Sequence, residues 1–287
     1  MPRLVPVLTA AALVVAAAAA LVIANPDPKS ESKSDGNAAA APSTPMNPGP
    51  ATPPMKPTAI AVPNNAPVAT SEVEGIKIED LKIGEGYEIK PGGSVVALYH
   101  GTLAADPTKV FDSAFERGEP IAFPLSGVIQ GWQKGVPGMK VGGVRRLTIP
   151  AALAYGAGSP SPDIPPNSDL VFVIQIVDAI QFTDTQVGTG EVVSGQALPV
   201  TNYVIKNDRG EVVGKNPEGQ PYIWLPGEFA GLSAGVEGMK VGGKRTIKIP
   251  KEFNEAVPGL AATRPTDVPL TVEVELVANR NLPQRGR

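Results

Sequence analysis

Few residues in this chain have the types needed for covalent or acid–base chemistry. His100 is the single histidine, so a Ser-His-Asp relay would have to run through it, and a multi-histidine metal site is excluded. There is no cysteine, which removes disulfides, thiolate metal sites and thiol catalysis. Lysine and arginine together number 25 against 28 aspartates and glutamates, a balance that leaves no electrostatic footprint for nucleic acid. What remains is a series of short aromatic and turn motifs in a fixed order. They are Val110-Phe111-Asp112-Ser113, Val128-Ile129-Gln130-Gly131-Trp132, Ala154-Tyr155-Gly156-Ala157, Ile164-Pro165-Pro166 and Leu170-Val171-Phe172.

Taken together these motifs resemble the FKBP-type (immunophilin) peptidyl-prolyl cis-trans isomerases, and the resemblance runs from about Glu74 to Gln181. The chemistry it implies suits the residue set. Rotating an Xaa-Pro bond breaks amide resonance against a barrier of about 18–20 kcal/mol, and unaided it takes tens to hundreds of seconds. Neither nucleophile nor metal is needed, and no cofactor is implied. A planar amide carries more dipole than a twisted one, so a dry, apolar pocket favours the transition state over the ground state. Acceleration of about 10⁵-fold corresponds to roughly 7 kcal/mol of that differential stabilisation.

The resemblance also implies an allocation of roles. Trp132 forms the floor under the proline ring, with Tyr99, Phe111, Phe123 and Phe172 as walls. Val128 and Ile129 line the mouth, with the Ile129 N–H holding a substrate carbonyl. The Tyr155 hydroxyl donates to a second carbonyl, Ile164 closes one side, and Asp112 sits at the edge near Tyr99 and Arg117. Read singly, Phe111, Phe123 and Phe172 are also compatible with plain core, and Asp112 with a turn or an ion pair. One wall position, often aromatic in the family, is Ile121, and the loop from Gly158 to Asp163 is rich in proline. Both changes lie at the rim, where they bear on sequence preference and on affinity for macrolide immunophilin ligands.

Those residues must be held by short strands and turns. Gly75-Ile76-Lys77-Ile78, Val95 to Tyr99, Arg146 to Ile149 and Leu170 to Val177 read as strands, with turns at Gly84-Glu85-Gly86 and Pro91-Gly92-Gly93. One short helix is expected around Ile129 to Val136, ended by Gly138. The pattern predicts an α+β fold, an antiparallel sheet wrapped around that helix.

Comparison of the chain with itself reveals a repeat. Gly138-Met139-Lys140-Val141-Gly142-Gly143 recurs as Gly238-Met239-Lys240-Val241-Gly242-Gly243, and about a dozen of the twenty pairs between Gly131–Pro150 and Gly231–Pro250 are identical. A spacing near one hundred suits a duplicated globular domain rather than a solenoid. The expected division is therefore 74–181 for the first domain, 182–279 for a second, degenerate copy and 280–287 for a tail. In the second copy Trp132 aligns with Leu232, Tyr155 with Glu255, Ile164 with Arg264, Phe172 with Val272, and the Phe-Asp pair with Val213-Gly214. That copy is expected to keep the fold and lose the catalysis.

Ahead of the repeat, Met1-Pro2-Arg3 precedes an uncharged Ala/Val/Leu run to Ala24, which reads either as a cleaved export signal or as an uncleaved anchor in the inner membrane. Residues 25–73, rich in proline, alanine and serine, read as a disordered linker. Both readings place the folded part outside the cytoplasm, periplasmic or secreted, acting on proline-containing polypeptides of exported proteins. Membrane contact is expected only through the N-terminal segment if uncleaved. A non-catalytic chaperone-like or scaffold module is the alternative. Val62-Pro63 and Ala66-Pro67 add a further reading, in which the linker occupies the chain's own pocket.

Overall fold

The computed structural model describes residues 58–194, 197–225, 228–254 and 267–281. The N-terminal run to Ala24, and Glu255 and Arg264 of the second copy, lie outside the described residues.

Seven strands form the first sheet: β1 (Ala69–Val73), β2 (Ile76–Lys82), β3 (Ser94–Leu103), β4 (Asp106–Ser113), β5 (Ile121–Pro124), β6 (Val144–Ile149) and β7 (Leu170–Ala179). Their order is β1-β2-β6-β7-β3-β4, with β5 also paired to β3, and every pairing is antiparallel. The inner face carries Ile76, Leu147, Phe172 and Ile174, all buried, and the short helix α2 (Gln130–Gly135) closes over it. The repeated glycines explain how closely the helix docks. A β-carbon on Gly131 would stand 2.3 Å from Ile149, and one on Gly135 would stand 2.7 Å from Leu147. Only glycine lets the helix backbone rest directly on β6.

The second sheet repeats this plan in β8 (Gln181–Gln186), β9 (Ala197–Lys206), β10 (Val212–Lys215), β11 (Tyr222–Ile223), β12 (Lys244–Ile249) and β13 (Leu270–Asn281). The order β10-β9-β13-β12-β8, with β11 on β9, reproduces β4-β3-β7-β6-β2 with β5 on β3. Its helix α3 (Ala230–Val236) docks the same way, Gly231 against Ile249 and Gly235 against Ile247.

A buried arginine fork also recurs. Arg145 donates to Asp80 at 2.7 and 3.1 Å and to the Gly135 carbonyl at 2.7 Å. Arg245 does the same to Asp184 at 2.7 and 3.2 Å and to the Gly235 carbonyl at 2.8 Å. Each fork ties the end of a helix to its sheet.

Three features depart from the sequence reading. Residues 58–73, expected as linker, lie on the first sheet: β1 forms a hairpin with β2 through Glu74 and Gly75, both at positive φ. Upstream of β1, Val62 packs on Leu81, Val144 and Val173 of the outer face, the Ile60 N–H donates to the Phe115 carbonyl at 2.8 Å, and the Val68 N–H donates to Asp80 O at 2.7 Å. Val62 packs on this outer patch and also touches the main core, whereas the reading of a linker folded into its own pocket would place Val62-Pro63 among the aromatic rings. At the other end, β13 continues through Arg280 and Asn281, which pair with Leu198 and Ala197, so the sheet takes in the first residues of the expected tail. Gln181 pairs with Lys248, giving it to the second sheet rather than the first.

Candidate active site

The site is built around Trp132 on α2, which is completely buried. Three rings meet it edge-on: Tyr99 at 5.7 Å, Phe123 at 5.4 Å and Phe172 at 5.3 Å between centroids. Phe111 is half-buried and stacks T-shaped on Phe172 at 5.5 Å. Such edge-to-face pairs are each worth about 0.5–1.5 kcal/mol beyond burial, so the nest is rigid as well as apolar. The indole Nε1 of Trp132 is buried with no acceptor among the described residues. Leaving a buried donor unsatisfied costs about 1–3 kcal/mol, which marks the position as shaped by something other than stability.

The polar rim is a linked set. The Tyr99 hydroxyl donates to Asp112 Oδ2, Arg117 Nη1 donates to Asp112 Oδ1, and Arg117 Nη2 donates to the Tyr99 oxygen at 3.2 Å. Burial, then the hydrogen bond and charge of Asp112, push the Tyr99 hydroxyl well above the ordinary phenol range, partly opposed by Arg117. Burial and the Asp112 charge raise Tyr155 as well. Both phenols therefore stay protonated near neutrality and remain able to donate, while Arg117 compensates the carboxylate so that it can sit beside an apolar nest.

Arg117 is delivered by a helix that the sequence reading did not anticipate, α1 (Ala114–Arg117). Its signal was present. Ser113 caps it by accepting from the Glu116 N–H at 3.2 Å, and Gly118 ends it at φ 72. Ser113-Ala114-Phe115-Glu116 has the Ser-x-x-Glu spacing of a helix start, with a glycine stop two residues later. His100 places its Nδ1 3.0 Å from the Ser113 hydroxyl and so supports the cap.

The remaining expected residues divide between mouth and core. Ile129 is the N-cap of α2 and half-buried, and no backbone carbonyl among the described residues accepts from its N–H. Tyr155 is half-buried at the end of the turn after β6. Val128 and Ile164 are nearly inaccessible and pack into the core cluster, so they back the mouth rather than line it. Ile164 is pinned by its N–H to Ser161 O at 3.1 Å and by the Ser159 hydroxyl to its carbonyl at 2.8 Å.

The second copy rebuilds this place differently. Register puts Gly214 where Asp112 stands and Ile205 where Gly101 stands, since Ile205 pairs with Gly214 as Gly101 pairs with Asp112. Leu232 replaces the tryptophan, and Trp224 takes the place of Phe123 with its Nε1 donating to Thr201 Oγ1 at 2.9 Å. Tyr203, Tyr222 and Trp224 cluster at 4.7–6.0 Å, and the Tyr222 hydroxyl donates to Glu228.

The sequence that builds this nest matches a known class. A family model described as FKBP-type peptidyl-prolyl cis-trans isomerase matches residues 86–177. A "Probable FK506-binding protein" of Corynebacterium glutamicum is 47% identical over 107 residues, covering 37% of this chain and 88% of the relative. "FK506-binding protein 4" of Neurospora crassa is 47% identical over 118 residues, 40% of this chain and 24% of that longer protein. Among solved structures, FkpA from Escherichia coli is 40% identical, covering 38% of this chain and 51% of that one, with a TM-score of 0.35. The chain belongs to the FKBP-type peptidyl-prolyl cis-trans isomerase family. The family match covers the first sheet from the Gly86 turn onward and stops before the second copy.

Proposed function

We propose that the first copy catalyses cis-trans isomerisation of Xaa-Pro bonds in polypeptide clients and that the second copy does not. The observation that carries the assignment is the nest around Trp132, whose rings are packed while its indole N–H finds no acceptor among the described residues. The indole is completely buried and Phe111 is the partly exposed wall, so a prolyl ring would reach the indole by displacing Phe111. It would then be enclosed by Phe111 and Tyr99, excluding water from the amide and lowering the dipole-rich planar ground state's advantage. The Ile129 N–H and the Tyr155 hydroxyl would hold the flanking carbonyls. Asp112 positions the Tyr99 ring, with Arg117 neutralising it, and no residue needs to gain or lose a proton.

The opposite assignment for the second copy rests on Ile205, Leu232 and Gly214, which supply a branched aliphatic side chain, no indole floor and no acid at the corresponding points. FK506-binding is part of the names of the relatives, and macrolide binding in the same nest follows for this chain as part of the proposal. Action on exported clients, outside the cytoplasm, rests on residues 1–24 alone. The test is turnover of an Xaa-Pro tetrapeptide by the full chain beside its Trp132→Leu variant, which gives the first copy the second copy's floor. Full activity in the variant would remove the assignment.

A further inference from the structure

A groove of about 800 Å³ lies away from the aromatic nest, across the outer face of the second sheet, within the size range of ligand sites. Its floor includes Thr185, Lys244, Thr246 and Glu273, and the loop from Lys215 to Gly219 forms one wall. Asn216 fixes that loop, accepting from the Tyr203 N–H at 2.6 Å and donating to Asn202 Oδ1 at 3.1 Å and to the Gln220 carbonyl at 3.1 Å.

The repeat gives this groove a meaning. Strand register equates Thr185 with Leu81, Lys244 with Val144, Thr246 with Arg146 and Glu273 with Val173. In the first copy those four positions hold the chain's own extended segment. Val62 packs on Leu81, Val144 and Val173, and Arg146 Nη2 donates to Asn64 Oδ1 at 3.2 Å. The wall corresponds as well: Lys215 is the counterpart of Ser113, so the loop stands where α1 stands, and α1 supplies the carbonyl that anchors Ile60. The groove is thus the second copy's version of a channel that holds an extended chain in the first.

We infer that this groove binds an extended, proline-containing segment of a client polypeptide whose side chains are polar or carry charges of both signs. The direction of crossing sets the tolerance for proline. Residues 60–68 run across the strands rather than alongside one, so their N–H groups are not needed for a ladder, and Pro63 and Pro67 fit between the pins at Ile60 and Val68. The floor sets the side chains. Where the first copy offers Leu81, Val144 and Val173, the second offers a hydroxyl, an ammonium and a carboxylate, which would be left poorly paired beneath an apolar segment. Lys244 lies 3.5 Å from Glu275, and Lys206 donates to Glu273 at 2.5 Å, so charges of both signs are present to exchange partners with an incoming chain. The inference rests on reading the chain as an isomerase of proline-containing clients, because both copies would then engage the same kind of chain.

The test uses the full chain and two fluorescein-labelled synthetic 14-residue peptides, each with two prolines. One alternates Lys, Glu and Ser with Ala, and the other has Val in place of those polar residues. Anisotropy titration should show the polar peptide binding more tightly than the apolar one. Lys244→Glu, and independently Thr246→Trp, should weaken that binding at least tenfold while leaving tetrapeptide isomerisation and circular dichroism unchanged. Equal binding in both variants, or preference for the apolar peptide, would overturn the inference and leave the isomerase assignment standing. Binding lost in Trp132→Leu but kept in the groove variants would place the peptide in the nest and overturn it too. Binding that appears only after residues 1–57 are removed would assign the groove to this chain's own N-terminal residues and overturn the client assignment.

Discussion

Gly101 and Phe111 share one space: a β-carbon on Gly101 would stand 2.6 Å from the Phe111 ring and 2.9 Å from Phe172. The aromatic walls exist because the strand beneath them carries no side chain at this point. In the second copy the relation is reversed, with Ile205 at the glycine position and Val213 and Val272 at those of the two phenylalanines. Gly101→Ala should therefore push Phe111 outward, at about 1–3 kcal/mol of overpacking. Tetrapeptide turnover should fall about tenfold or more, equivalent to at least roughly 1.4 kcal/mol of transition-state stabilisation. A variant with normal kcat/KM would show that the Phe111 wall is not used.

Trp132 separates fold from function. Trp132→Ala should cost about 3–5 kcal/mol of stability, because the emptied volume lies under three rings. Trp132→Phe should keep the fold more nearly intact, since the buried indole N–H has no acceptor among the described residues to lose. If the indole serves the proline ring, Trp132→Phe loses turnover out of proportion to its change in melting temperature. Parallel losses would identify Trp132 as core only.

How far the sequence could be read follows from what each element depends on. The strands, the α2 helix and the duplication rest on local periodicity and on glycines that permit close docking, so they could be traced directly, down to the Val213-Gly214 counterpart of Phe111-Asp112. The aromatic residues could be gathered only through resemblance, because nothing local brings Phe111 and Phe172 together across β4, β3 and β7. Residues 58–73 read as linker because Pro63, Asn64, Asn65 and Pro67 have loop composition. Their order comes from an apolar patch, Leu81, Val144 and Val173, assembled from three distant strands. Helix α1, at four residues, is too short to show periodicity, although its cap carries a local signal.

Alkaline pH should destabilise the protein before it affects neutral-range catalysis. Tyr99, Tyr155 and Tyr203 are raised, chiefly by burial, and Tyr222 is pushed up to about 12, chiefly by its hydrogen bond to Glu228. Below about pH 10 the folded and unfolded chains both keep these protons, and the full stability is present. As pH rises further the unfolded chain releases its protons first, so stability falls until the folded hydroxyls titrate. Melting temperature should hold between pH 7 and 9 and drop above 10, with a shallower drop in Tyr99→Phe. A flat profile to pH 11.5 would contradict the protected phenols.

Arg145→Met tests the repeated fork. It would leave Asp80 with two lost donors and the Gly135 carbonyl unpaired at the end of the helix that carries Trp132. Removing one partner of a buried pair costs about 3–5 kcal/mol, and the partial hydration of Asp80 puts this case at the lower end. Denaturant unfolding should register that loss, and Arg145→Lys should recover little of it because an ammonium cannot reproduce the fork. Recovery to full stability by lysine would show that charge alone holds the helix.

Val62→Asp tests whether the segment ahead of β1 is structural. The aspartate would set a carboxylate on Leu81, Val144 and Val173, with Glu79 on the same face. Val62 is only partly buried, so the lost apolar contact and the unpaired charge together should cost about 1–3 kcal/mol. For a domain of this size, above 100 residues, each kcal/mol moves the melting temperature by roughly 4 °C. Because the outer face lies away from Trp132, kcat/KM at a temperature well below unfolding should change less than twofold. A drop in turnover without a drop in stability would reverse the placement, putting this segment in communication with the nest. Lowered stability with intact turnover would make residues 60–68 part of the domain and not a tether to it.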